Sequence, residues 1–324
     1  MEINALLMGL TDNVATCITD IVKGDTVTYR KGNECISLTA EEDIPYCHKI
    51  ALADIPEGGE IIKYDEPLGK TSEPIAKGHW VAHHNLFSVP RDYDSEKVEE
   101  KDEPLPELEK TESGLKFWGY RRAEGRPGIR NHILILPTCA CGSESSRIIA
   151  SQVKGAVNII QANTDMSQKV LTGFACNPNV WGVVIIGLGC ETVPHDQLRE
   201  KIQAMTSKPV VSFGIQDEGG TLKTIEKGVR AAREMAMQAG LQQKELFDIS
   251  ELYLGIECGG SDATSGIASN PATGELSDLL VDMGATTVMS ESIEWIGGEH
   301  VLAKRASTSK IHNQIIQVCQ DYEA

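Results

Sequence analysis

The stretch Glu257 to Pro271, ECGGSDATSGIASNP, is the densest concentration of reactive side chains in the sequence. It packs a thiol (Cys258), a carboxylate (Asp262), four hydroxyls (Ser261, Thr264, Ser265, Ser269) and three glycines (Gly259, Gly260, Gly266) into one turn-forming segment. The apolar run Leu252-Tyr253-Leu254-Gly255-Ile256 before it reads as a buried strand. Glycines after a strand let backbone N–H groups approach a ligand closely. The spacing is not that of a phosphate loop, which needs Gly, four residues, then Gly-Lys-Ser/Thr. The segment therefore reads as a binding loop for something anionic or hydroxylated. A polar, well-capped strand-to-helix connection is the plainer alternative.

Two further constellations carry chemistry. The run Gly119 to Asn131 holds Arg121, Arg122, Arg126 and Arg130. A planar guanidinium fork suits carboxylate recognition, and a salt-bridge network between domains is the competing use. Thiols also recur after apolar runs: Cys139 and Cys141, then Cys190, then Cys258. If their strands share a parallel sheet, these ends converge, and three or four thiolates there suit iron or an iron-sulfur cluster. Buried, inert cysteines fit the spacing equally well. His48, His84, His195, Glu191, Glu257 and Asp262 are the titratable groups placed for proton transfer.

The elements that must position these groups fall into three parts. Residues 1–92 read as short strands and turns, with two similar turns at Asp20 to Asp25 and Ile55 to Glu60, each leading into a β-branched run; this predicts a small all-β module. Residues 93–114 are acidic with two prolines, a solvated linker or an extended strap. Residues 115–324 alternate strand and helix signals, which predicts a parallel sheet flanked by helices. Helices are expected from Ser143 to Val153, capped by Ser143, and from Glu299 to Tyr322. Ligands then lie beyond the carboxyl ends of the strands.

The net charge of -17 disfavours a nucleic-acid or anionic-membrane surface. No apolar run reaches the roughly 20 residues a membrane span needs. The start, MEINALLMGLTDN, lacks the basic region of a secretory signal. Nine cysteines without a CxxC pair then argue for reduced thiols and a cytoplasmic location.

The sequence resembles the altronate and galactarate (sugar-acid) dehydratase family over nearly its whole length. The amino-terminal matches are Asp12-Asn13-Val14, His48-Lys49-Ile50-Ala51-Leu52, and Gly59 to Tyr64 with Leu68-Gly69. The later ones are Gly119-Tyr120-Arg121-Arg122, Gly125-Arg126, Gly128, Arg130-Asn131, Asn177-Pro178-Asn179, Gly187 to Glu191, Cys258 to Gly266, Asn270-Pro271 and Ser290-Glu291. The resemblance implies a β-clip (SAF) domain joined by the acidic linker to a Rossmann-like parallel α/β domain. It implies a hydro-lyase that removes water from a polyhydroxy carboxylate, giving a 2-keto-3-deoxy acid with ferrous iron or another divalent metal. His48 would act as acid or base, with Lys49 and Asp262 beside it. Asp12, Asn13, Arg122, Arg126, Arg130, Asn131, Ser261 and Thr264 would contact substrate. Cys141, Cys190 and Cys258 would be metal ligands.

Two departures qualify the expectation. The family's His-x-x-Gly-Cys-Gly-like segment is absent, with Gln161 to Met166 in its place. Members of the family continue well past the point where this chain ends, so a separate carboxyl-terminal subunit, beside a homo-oligomer, is among the expected partners. Elimination of sulfite from sulfolactate, and a non-catalytic acid-binding subunit, are the alternative functions.

Overall fold

A computed structural model describes residues 2–89, 93–105, 114–161, 167–260, 262 and 264–324. Ser261, one of the expected substrate contacts, lies outside the described residues, as do 106–113 of the acidic segment and 162–166. The chain divides into two compact units. The first comprises residues 1–108, 256–275 and 289–324, and the second residues 109–255 and 276–288.

The first unit opens with nine short strands: β1 (Ala5–Leu6), β2 (Val14–Cys17), β3 (Thr26–Lys31), β4 (Glu34–Thr39), β5 (Lys49–Ala51), β6 (Glu60–Lys63), β7 (Glu66–Thr71), β8 (Trp80–Val81) and β9 (Leu86–Phe87). An antiparallel sheet runs β1-β2-β5-β8, with the hairpin β3–β4 and the three strands β6-β7-β9 beside it. The two similar turns serve the same purpose. They set Ile21 against Ile44 and Ile55 against Ile75 in isolated bridges, and all four side chains are buried. Burying such aliphatic side chains is the main stabilising contribution in a module this small.

The acidic segment is a strap where it is described. Lys97 Nζ donates to Gln317 and Gln320, Asn313 exchanges hydrogen bonds with the Val98 backbone, and Ser309 pairs with Lys101 and Glu103. These contacts pin residues 97–103 to the helix Ser309–Glu323. The expected closing helix is split into Glu299–Ala303 and Ser309–Glu323. The Thr308 hydroxyl accepts the Ile311 N–H and starts the second piece, since a hydroxyl residue competes with helix continuation and favours a cap.

The second unit carries β10 (Lys116–Gly119), β11 (His132–Pro137), β12 (Ala156–Asn158), β13 (Val180–Gly187), β14 (Val210–Gly214) and β15 (Glu245–Asp248). The expected parallel sheet is present, in the order β12-β11-β13-β14. Alternate residues of its strands face opposite layers. Ile133, Ile135, Val184 and Ile186 pack on Ile149, Val229 and Met235 of the helices Ala140–Ser151 and Thr221–Leu241. Leu134, Leu136, Val183 and Ile185 pack on Leu171, Leu198 and Ile202 of the helices Gln168–Cys176 and His195–Gln203. Both faces are covered, so the strands read as continuous apolar runs.

Two expectations are corrected. The first helix starts at Ala140, not at Ser143. Ser143 is buried, and its hydroxyl exchanges hydrogen bonds with the Gln161 backbone instead of capping. The strand before the Cys258 segment, β16 (Tyr253–Ile256), does not join the parallel sheet. It pairs with β17 (Thr286–Met289) in a sheet of its own, with Tyr253 and Gly255 exposed. The cause is β15, which returns antiparallel to β10 after the long helix and so turns the chain away from the parallel sheet. Cys258 therefore does not follow a strand of the sheet that carries Cys139, Cys141 and Cys190. No helix among the described residues is long and apolar enough to cross a membrane.

Candidate functional site

In the first unit, β5 and β6 deliver Lys49 and Lys63 to a shared environment. Both amines are half-buried and held below the usual lysine range. Burial is the cause at Lys49; at Lys63 it is burial first, then the Lys49 charge. Neither makes an ion pair among the described residues. The Asp12 and Cys47 charges act on Lys63 in the opposite direction, and two half-buried amines in one environment suit an anionic group.

His48 precedes Lys49. The Trp80 indole N–H donates to His48 Nδ1 at 3.0 Å. An indole nitrogen only donates, so Nδ1 must accept, and the imidazole carries its proton on Nε2. Burial, then Lys49, then His83 lower the His48 pKa. The ring is thus held neutral, as a hydrogen-bond donor through Nε2. This narrows the expected acid-or-base role, because Nε2 is already protonated.

A strained turn supports these lysines. Tyr64 and Asp65, between β6 and β7, both have positive φ (61° and 60°), the two-residue turn that matches strand twist but usually takes Asn-Gly. Asp12 holds it. Its buried carboxylate accepts the N–H groups of Asp65 (2.8 Å), Gly9 (2.8 Å) and Met8 (3.2 Å). Asp65 in turn accepts the Thr11 N–H and hydroxyl, which lower its pKa. Asn13 brackets β6 by donating to the Glu60 carbonyl and accepting the Ile62 N–H. Asp12 and Asn13, expected to touch substrate, spend their polar atoms on this scaffold.

The turn also fixes the opening segment. The Tyr64 hydroxyl donates to the Gly266 carbonyl, joining the β6–β7 turn to the Glu257 to Pro271 stretch within the same unit. Asp262 accepts the N–H and hydroxyl of Thr264, and these bonds lower its pKa. It is an ionised carboxylate organising its own loop. Its charge also reaches Tyr46, near Cys47. The unit therefore brings together His48, Lys49 and the segment holding Asp262 and Thr264. Lys63, Tyr64 and Trp80, which contact or influence this group, were not singled out from the sequence. The one signal for them is that a lysine, a tyrosine and a tryptophan stand at the ends of the β-branched or alternating runs that follow His48-Lys49.

The second unit has its own cluster at the carboxyl ends of β11, β13 and β14. Strand order reverses between β11 and β13, where such sheets take ligands. Here Thr138 donates to Glu191 at 3.1 Å across that position. Burial raises the Glu191 pKa, but the Gly189 and Leu188 N–H groups and Thr138 outweigh it, and the net shift is downward. His195 Nε2 lies 3.0 Å from Asp217 Oδ2, its ring over Gly187 and Gly214, where a Cβ would collide with it.

The arginine run braces its own loop. Arg122 donates to the carbonyls of Pro178 and Arg130 and to Asn131 and Gln242. Arg126 donates to Ser250 and Thr286 and stacks 3.9 Å over Tyr253. Arg130 is exposed and reaches the Ile129 carbonyl. Asn131 bridges Arg122 to Ala239.

The thiols are divided. Cys141 and Cys190 are exposed in the second unit, and Cys258 is half-buried in the first. The grouping of three metal-type ligand atoms within 4.8 Å among the described residues is Glu96, Glu299 and His300. Within either unit taken alone, the expected cysteines do not form a ligand set.

Sequence profiles of three domains match the chain. They are the altronate/galactarate dehydratase SAF domain at residues 3–89, the D-galactarate dehydratase/altronate hydrolase second domain at 119–240, and the D-galactarate/altronate dehydratase C-terminal domain at 249–324. The chain is 29% identical to an altronate dehydratase of Bacillus subtilis over 96% of its own length and 64% of the relative's. It is 31% identical to an Escherichia coli galactarate dehydratase (L-threo-forming), over 97% and 64%. A (2R)-sulfolactate sulfo-lyase subunit beta of Chromohalobacter salexigens is 36% identical over 65% of this chain and 55% of that one. The chain thus spans less than two thirds of these relatives' length.

Proposed function

Because the chain belongs to the altronate/galactarate dehydratase family, we propose that it acts in a hydro-lyase that converts a sugar acid, altronate- or galactarate-like, into a 2-keto-3-deoxy acid. The observation that carries this reading is the Lys49–Lys63 pair beside a neutral, donor-locked His48, with the Gly266 segment tied to the same turn. Lys49, as ammonium, holds the carboxylate. Lys63, its pKa depressed, takes the proton from C2. Negative charge then spreads onto the carboxylate as an enediolate, where the adjacent cation stabilises it most. The C3–O bond breaks, and the hydroxyl leaves as water with the proton gathered at Lys63, assisted by the His48 Nε2–H. The enol then takes a solvent proton at C3 and becomes the keto acid. The hydroxyls of Ser261 and Thr264 are proposed to read the substrate's hydroxyl groups.

A divalent metal, ferrous iron in this proposal, would stabilise the enediolate as a Lewis acid. Cys141, Cys190 and Cys258 are divided between the units, and within either unit alone they do not fit a metal's ligand set. The Rossmann-like character of the second unit is supported by its β12-β11-β13-β14 order with both faces covered by helices. A homo-oligomer or a separate carboxyl-terminal partner is part of the proposal.

The sulfo-lyase subunit similarity supports a second reading, loss of sulfite from a sulfonated hydroxy acid. A single panel separates the two. The chain, alone and with a co-expressed carboxyl-terminal partner, is assayed anaerobically with ferrous iron against altronate, galactarate and sulfolactate. Keto-deoxy acid from a sugar acid supports the first reading, and sulfite from sulfolactate supports the second. Neither product under any condition would sink both.

A further inference from the structure

At the amino-terminal edge of the parallel sheet in the second unit lies an open groove of about 450 Å³, lined by Arg121, Arg122, Lys208, Ser207, Trp181 and Gln238 among others. Lys208 and Pro209 lead into β14 and Trp181 stands near the start of β13, so the groove opens on the edge opposite Glu191 and His195. We propose that it is a binding site for a compact oxyanion of two or more negative charges, a phosphate group or adjacent carboxylates, separate from the dehydration chemistry.

The argument is one of charge balance. The acceptors of Arg122 are all neutral: the carbonyls of Pro178 and Arg130, Asn131 Oδ1 and Gln242 Oε1. Lys208 Nζ donates to the carbonyls of Ala175 and Asn177, at 3.1 and 2.6 Å. Neither cation pairs with a carboxylate among the described residues. Burial first and Arg122 second push the Lys208 pKa down to about 8, while Cys176 and Glu124 act in the opposite direction. Glu124 is already taken up by the Ser207 N–H and the Thr206 hydroxyl. Arg121 is held by Glu245. A protein of net charge -17 thus keeps two mutually repelling cations at one groove. An oxyanion there would relieve the repulsion and accept the remaining donors: one N–H each of Arg122 and Lys208, the Ser207 hydroxyl and the Gln238 amide.

The test is calorimetric titration of the full chain with inorganic phosphate and, separately, citrate, at constant ionic strength set with chloride. Saturable binding of at least one is expected, weakened about tenfold or more in Lys208→Met, the loss of one charge-assisted hydrogen bond. Arg121→Gln, at an exposed lining position, should weaken it a few-fold and serves if Lys208→Met does not fold. Phosphate alone binding points to a phosphorylated ligand, and citrate alone to a polycarboxylate. No saturable binding of either anion, or binding unchanged in the variants, would overturn the proposal. Neither result bears on the dehydratase reading, which rests on the other unit.

Discussion

Replacing Asp12 by Asn is expected to destabilise the protein by about 2–4 kcal/mol. The wild-type carboxylate is 4% exposed and accepts three backbone N–H groups, two at 2.8 Å and one at 3.2 Å. An amide has one acceptor oxygen. If that oxygen keeps the Met8 and Gly9 N–H groups, the amide NH₂ faces the Asp65 N–H, and a buried donor is left unpaired. Losing a hydrogen bond to a charged group costs roughly 1.5–3 kcal/mol, and the orphaned donor adds to it. The affected turn is already costly, because Tyr64 and Asp65 sit in the left-handed region at about 1–2 kcal/mol each. Urea unfolding of the full chain, wild type against Asp12→Asn, measures the difference. A change within about 0.5 kcal/mol of zero would show that Asp12 does not hold the turn and would free it for the ligand role first expected.

Other consequences follow from the same geometry. Lys63→Met should lower kcat about 10²-fold or more, as expected when a general base is lost, whereas Lys49→Met should both raise KM and lower kcat, because its ammonium holds the carboxylate and acts on the charge that develops there. The His48 pKa lies below 6.5, so as pH falls the unfolded chain takes that proton first and stability declines until the folded pKa is passed. Lys49→Met removes the neighbouring charge that, after burial, lowers it, and NMR titration should find His48 moved back toward 6.5. Thr308→Ala deletes the cap on the Ser309–Glu323 helix and should cost about 1 kcal/mol in thermal unfolding, with Thr308→Ser recovering most of it.

Much of the architecture was legible because periodicity reports burial. The apolar runs at 133–136 and 183–186 are buried on both faces, and the β-branched runs after each amino-terminal turn are half-buried strands. What escaped depends on partners remote in sequence. The run 252–256 is as apolar as the sheet strands, yet it pairs with β17, because the β10–β15 pairing redirects the chain. Ser143 looks like a cap but is claimed by Gln161, eighteen positions away. The arginine cluster advertised carboxylate binding, and most of its donors meet backbone carbonyls and side-chain amides. His48 was visible as a titratable group, but its tautomer follows from Trp80, thirty-two residues on. The segment Glu257 to Pro271 stood out from the start; the structure adds that Tyr64 anchors it at Gly266.

The most direct test of the central claim is to run the reaction in D₂O with the sugar acid that turns over and to read the keto acid by NMR. Removal of the C2 proton followed by ketonisation of an enol predicts one deuterium at C3, with the rate of labelled product falling about 10²-fold or more in Lys63→Met. A keto-deoxy acid that forms without deuterium at C3 would contradict the enol route, and full turnover in Lys63→Met would remove the lysine pair from the chemistry.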